Sequence, residues 1–170
     1  MDIDHVHFYV DDAKTWRNWF IETLGCEAIA HHLTPHTHTE IVQRGGVCLV
    51  LSSPLTAESE VATYLQCHPP GVVDIAFRVA DIKAAIAQFT QHHGILRCPL
   101  QTQTRPNGHL QWAIAQGWGD LRHTLLQWTG APTNTLAGLR YGISTQPISA
   151  VSAAPSSTAP SSPTLSSPAP

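Results

Sequence analysis

The sequence predicts an α+β fold in which two copies of a βαβββ module pair their sheets into a curved half-barrel. Three observations carry that expectation. The chain repeats at an offset of 69, with Phe8, Val10, Asp12, Lys14, Phe20 and Gly25 meeting Phe77, Val79, Asp81, Lys83, Phe89 and Gly94. That makes six identities over the 22 ungapped positions from His5 to Cys26, far more than one motif supplies by chance. Each copy opens as a strand that turns into an amphipathic helix, and three further strand-like runs follow each helix.

The elements can be justified in order. His5–Val10 and Asp74–Val79 are short, β-branched and aromatic, with partial alternation, and read as strands. Asp12 and Asp81 stand where a carboxylate accepts from the first free N–H groups of a helix. Ala13, Trp16, Phe20 and Leu24 then share one helical face, as do Ile82, Ala85, Ile86 and Phe89. Gly25 and Gly94 lie just past the helix ends, where a left-handed stop is wanted. In copy one the strands are 26–32, 37–43 and 47–52, with Gly45-Gly46 as a tight turn; in copy two they are 95–102, 109–115 and 121–128, the first pair turning at 105–108. Residues 56–67 read as a connecting helix closed by Pro69-Pro70-Gly71. The modules are thus about 2–55 and 71–130.

Of the 170 residues, 42% are hydrophobic and 12% charged, with a net charge of −3. A weakly acidic chain offers no basic footprint for nucleic acid. No apolar run approaches the roughly 18–20 residues that span a bilayer, and Met1–His5 shows no secretory leader. The default expectation is a cytoplasmic chain. Cys26, Cys48, Cys67 and Cys98 form no CxxC clip and read as reduced, mostly buried small hydrophobes. From 144 to 170 the chain holds nine Ser, six Pro, five Ala and three Thr without a charge, a composition expected to stay disordered. Residues 131–143 form a transition between the folded part, 1–130, and this tail.

The repeat and three local runs carry a resemblance. A duplicated βαβββ unit opening with Asp4-His-Val-His-Phe-Tyr-Val10 resembles the vicinal oxygen chelate superfamily of glyoxalases and extradiol dioxygenases. Gly46–Pro54, Tyr64–Val79 (with Pro69-Pro-Gly-Val-Val-Asp74) and Trp118–Leu126 (with His123-Thr-Leu125) resemble 4-hydroxyphenylpyruvate dioxygenase over residues 2–130. The resemblance implies an iron(II) oxidoreductase of tyrosine catabolism that converts 4-hydroxyphenylpyruvate and O₂ to homogentisate and CO₂. In that family two such domains lie in tandem. The C-terminal one carries a facial triad of two histidines and a glutamate, while the N-terminal one is a metal-free structural lobe.

By the same resemblance, the ligand positions fall at His5, Asp74 and Thr124. One imidazole, one carboxylate and a neutral hydroxyl make a poor iron(II) site. This chain therefore resembles the N-terminal, non-catalytic domain, with Fe(II) the cofactor of the family and none bound here. No residue is assigned a catalytic or cofactor-binding role. The expectation is an inactive isolated chain lacking the catalytic half, through truncation or because that half is a separate protein. Its partners would be further copies of itself or such a catalytic half. The alternative is a stand-alone small-molecule-binding or assembly module of the same fold. A weaker one is a divalent ion on His5 and Asp74 serving a glyoxalase-like reaction.

The remaining histidines admit plain readings. His5 and His7 face the same side of one strand, which suits two ligands but leaves a shell incomplete. His31, His32, His36 and His38 cluster near Pro35 as solvated loop residues, or as a weak adventitious metal site with Glu40. His92 and His93 end a helix, where a partly cationic ring is favoured. Trp16 and Trp19 occupy adjacent sides of the first helix; core packing is expected, with an exposed one suited to an interface.

Overall fold

The computed structural model describes residues 1–130. The transition 131–143 and the tail 144–170 lie outside the described residues. The first module is β1 (Asp2–Tyr9), α1 (Ala13–Leu24), β2 (Glu27–Leu33), β3 (Thr37–Arg44) and β4 (Val47–Pro54). After α2 (Glu60–Cys67) the second repeats it as β5 (Gly71–Arg78), α3 (Ile82–Gln91), β6 (Leu96–Arg105), β7 (Gly108–Gln116) and β8 (Arg122–Gly130). Every expected element is present, with ends displaced by a few residues. The largest displacement is α2, which starts at Glu60 rather than Thr56, because the Ser59 hydroxyl accepts from the Val61 N–H and caps it there.

One eight-stranded sheet results, in the order β2-β3-β4-β1-β5-β8-β7-β6. In each module the first strand lies parallel to the last, β1 beside β4 and β5 beside β8. The two first strands then pair antiparallel and form the seam between modules. The registers extend the repeat beyond the helices: Phe8 faces Leu51 as Phe77 faces Leu125, and Val6 faces Leu49 as Ile75 faces His123.

Local chemistry sets the helices. Asp12 Oδ1 accepts from the Thr15 N–H at 3.0 Å and Asp81 Oδ1 from the Ala84 N–H at 3.0 Å. The Thr15 N–H holds the Asp12 carboxyl below the usual carboxylate range. Gly25 takes the left-handed stop at φ 65°. The second helix differs from expectation, since His93 occupies the left-handed region at φ 63° and Gly94 does not. Gly94 is needed for space instead: a Cβ there would stand 2.4 Å from the Phe89 ring.

The helices α1 and α3 cover the outer face. Phe8, Val10, Val42 and Leu51 pack there against Trp16 and Phe20, while Phe77, Val79 and Leu125 pack against Ile82, Ala85 and Ile86. The inner face buries Ala30, Ile41, Cys48 and Val50 in one module, and Ala76, Leu110 and Leu126 in the other. Trp112 and Trp128 lie against the latter group. Only Cys26 and Cys48 are buried; Cys67 is exposed and Cys98 half-exposed, so the expectation of mostly buried thiols holds for half of them. Trp16 joins the core while Trp19 is 44% exposed. Among the described residues no helix is long and apolar enough to cross a membrane.

Two stability measurements test this packing. Leu126→Ala should lower the unfolding free energy by about 2–5 kcal/mol in urea melts, through lost burial and a residual cavity. Asp12→Ala should cost about 1 kcal/mol. Because the folded pKa of Asp12 is depressed, that contribution is present above the unfolded carboxylate pKa of about 3.9 and vanishes as pH falls through the folded value.

Candidate functional site

A β-bulge at the start of β1 shapes the centre of the inner face. The register passes from Ile3–Phe77 to His5–Ala76, so Asp4 is an extra residue and both Asp4 and His5 are buried. Asp4 bridges its neighbours: its Oδ1 lies 2.9 Å from His5 Nδ1, and its Oδ2 accepts from Arg78 Nη2 at 2.6 Å. Two residues on, His7 Nε2 lies 2.8 Å from Ser52 Oγ, which is 2.7 Å from Thr39 Oγ1. His5 and His7 thus share the inner face as expected, yet each is bonded to a different group.

The third and second expected positions close on one another. Asp74 Oδ1 accepts from the Thr124 N–H at 2.9 Å, and the Thr124 hydroxyl donates to Asp74 Oδ2. His5, Asp74 and Thr124 are 0%, 1% and 0% exposed. At these positions the half-barrel interior is packed. A buried carboxylate is costly unless hydrogen-bonded, and Thr124 supplies both bonds from a single residue.

As a donor set for iron(II) these residues do not fit. Both Asp74 oxygens accept from Thr124, and the Thr124 hydroxyl is neutral and engaged as a donor where a charged ligand is wanted. Among the described residues no group of three or more His, Cys, Asp or Glu side chains is arranged to hold a metal.

Beyond this packed centre, α2 leans over the end of the inner face and borders an open pocket of about 270 Å³. Arg122, next to Thr124 across one residue, is its main charge. Its Nη1 donates to Glu60 Oε1 at 2.6 Å and its Nη2 to the Tyr9 hydroxyl at 3.0 Å. Burial works against the Arg122 charge, but Tyr9, Glu60 and Asp74 outweigh it and the pKa is raised. Burial likewise pushes the Tyr9 phenol up, only partly offset by Arg122. At the far end of α2, His68 stacks on Tyr64 with ring centroids 4.5 Å apart and reaches Asp120 at 3.0 Å. The pair ties the helix to the β7–β8 turn.

Sequence reasoning did not single out Tyr9, Glu60 or Arg122. Tyr9 continues the inner-face alternation of His5 and His7, and Arg122 sits two residues before Thr124; those were the available signals. The histidine cluster also needs correction. His31 and His32 belong to β2, His38 opens β3, and of the four only His36 is in the turn. His38 is no solvated loop residue: its Nε2 lies 3.0 Å from Glu40, which also accepts from Arg17 at 3.1 Å. The carboxylate is buried, and Arg17 supplies the charge that offsets it. At the end of α3 it is the backbone N–H groups of His92 and His93, not the His92 ring, that donate to the Gln88 and Thr90 carbonyls.

Two βαβββ modules joined through their first strands, with β1, β5 and β8 converging at the centre, are the geometry that known proteins share. Residues 4–109 match the Glyoxalase/Bleomycin resistance protein/Dioxygenase superfamily. The chain belongs to that superfamily. An uncharacterized protein of Synechocystis sp. is 31% identical over 130 residues, covering 74% of this chain and 36% of the relative. The 4-hydroxyphenylpyruvate dioxygenase of Coccidioides posadasii is 23% identical over 154 residues, covering 81% of this chain and 39% of that protein. The chain therefore spans well under half the length of these curated relatives. Among solved structures, a mutant 4-hydroxymandelate synthase from Streptomyces coelicolor superposes with a TM-score of 0.68 at 23% identity, covering 79% of this chain and 43% of that one. Methylmalonyl-CoA epimerase from Mycobacterium tuberculosis does so at 0.61 and 19% identity, covering 77% and 89%. These structures share the superfamily fold.

Two substitutions probe this superfamily domain's inner face. Thr124→Val removes a donor from a buried carboxylate and should cost about 1–3 kcal/mol. Tyr9 acts with the opposite pH sense. Its raised folded pKa means that its contribution is present below the unfolded phenol pKa of about 10 and is lost as pH rises through the folded value. Tyr9→Phe should therefore flatten the fall in Tm above about pH 10.

Proposed function

We propose that residues 1–130 are the metal-free, N-terminal type of lobe of a 4-hydroxyphenylpyruvate dioxygenase-like protein. In this reading the lobe supports a dioxygenase through assembly and carries out no oxygen chemistry itself. The observation that carries the proposal is the closed Asp74–Thr124 pair. A carboxylate that already accepts twice from a neutral residue, with that residue's hydroxyl where a charged third ligand is wanted, makes a poor donor set for iron(II). The identity to dioxygenases over about three quarters of the chain supports the family half of the reading.

In such a lobe the side chains have structural work. Asp4 gathers Arg78 and His5 across the module seam, and Thr124 neutralises the hydrogen-bonding demand of Asp74. Iron, where the family reaction needs it, would be supplied by a catalytic lobe with its own triad.

A second reading is a stand-alone binding module, favoured by the open pocket beside α2 with Arg122, Tyr9 and Tyr64 in its lining. The test of the first reading is direct. Iron(II) is added anaerobically to the purified chain, bound metal is measured, and homogentisate formation from 4-hydroxyphenylpyruvate and O₂ is followed. The expected result is no stoichiometric iron and no product, with metal content unchanged in Asp74→Ala. One equivalent of iron with product formation overturns the proposal.

A further inference from the structure

The repeat supplies an internal control for the space between helix and sheet. On the outer face of the first module that space is full: Trp16 packs on Phe20 with ring centroids 6.5 Å apart, over Val42, Leu49 and Leu51. The second module keeps Phe89 for Phe20, Phe77 for Phe8 and Leu125 for Leu51. It changes the rest. Ala85 stands where Trp16 does, and Ala115 and His123, which are cross-strand partners, stand where the partners Val42 and Leu49 do. Three neighbouring side chains are thus shortened or made polar together.

The consequence is an open groove of about 380 Å³ on the outer surface, lined by Phe77, Phe89, Leu125, Ala85, Ala115 and His123, with Met1, Gln88 and His92 completing it. Its size falls in the usual range of small-molecule pockets, roughly 300–1,000 Å³. Rigid aromatic walls define it: Gly94 lets the Phe89 ring lie flat against the backbone, and Phe77 meets His123 with centroids 5.5 Å apart. The polar handle has moved as well. The Trp16 indole donates to Asp11 at 3.0 Å, whereas the counterpart of Asp11 is Ala80. In exchange His123 brings a ring nitrogen, Nδ1, that is buried without a hydrogen-bond partner. With Nε2 protonated, Nδ1 accepts from an N–H or O–H, and an unsatisfied acceptor at the wall is a loss that such a donor recovers.

We propose that the second module binds a small planar aromatic molecule of about indole size, bearing one N–H or O–H, in the outer groove between α3 and the sheet. The bound ring takes the place that Trp16 fills in the first module. This site is separate from the inner-face positions and does not depend on the dioxygenase reading.

Indole is the probe, titrated into the ¹⁵N-labelled full chain and followed by NMR. Saturable shifts are expected at Ala85, Phe89, Ala115, His123 and Leu125. Ala85→Trp fills the groove with the chain's own indole, and it should weaken binding at least tenfold while raising Tm. If that variant does not fold, Ala115→Val, which restores the Val42 counterpart, should weaken binding at least threefold without lowering Tm. His123→Leu should remove the preference for indole over benzene. The proposal is overturned by any of four results: no saturable shifts up to the solubility limit of indole, shifts centred on His5 or Arg122, undiminished binding in Ala85→Trp or its substitute, or shifts that track dimerisation of the chain.

Discussion

The antiparallel seam between β1 and β5 is the constraint on which the rest of this fold depends. It joins two modules that each bury only part of their sheet alone, and it brings four polar side chains, Asp4, His5, His7 and Asp74, into the dry centre. Burying that many polar groups is tolerable only where hydrogen bonds compensate. The bulge at Asp4 and the Thr124 backbone and hydroxyl provide them. The centre is therefore held by a network whose members are already committed to one another. At Asp74 that commitment ties the fold to the functional reading, since both carboxylate oxygens already accept from Thr124.

Duplication also separates what the fold requires from what it permits. Both modules keep an aspartate cap, a phenylalanine on the first strand and another on the helix, and these positions build the helix-on-sheet layer. Trp16 and Ala85 sit at equivalent sites with very different volumes, so a filled layer is not a condition of folding here. The open layer in the second module costs stability that the filled one retains. Such a difference between otherwise matched modules is where binding can arise without disturbing the seam.

Much of this was legible in the residues. The offset of 69 and the alternation after each helix gave every element, because periodicity and caps are local. The positions of His5, Asp74 and Thr124 came from the family resemblance, and the strand registers bring them to one inner face. What escaped the sequence was tertiary. The Asp74–Thr124 bond depends on the register of β5 with β8, and Arg122 meets Tyr9 and Glu60 only because α2 folds back over the sheet end. Gly94 looked like a helix stop, yet His93 took the left-handed turn and Gly94 serves the Phe89 ring, a packing demand that no local pattern announces. His38 likewise read as a loop residue, because its ion pair with Glu40 is set by the pleat of β3 and by Arg17 arriving from α1.

The central claim is that the inner-face positions are occupied by their own hydrogen bonds and exclude iron. Paramagnetic broadening reads this directly at the atoms concerned. Iron(II) is titrated anaerobically into ¹³C,¹⁵N-labelled protein while the Asp74 carboxyl, the His5 ring and the Thr124 amide are observed. Unbroadened signals from all three at one equivalent, with the Thr124 amide still protected from exchange, are expected. Selective loss of the His5 and Asp74 signals at that ratio would contradict the claim and restore a metal centre to this face.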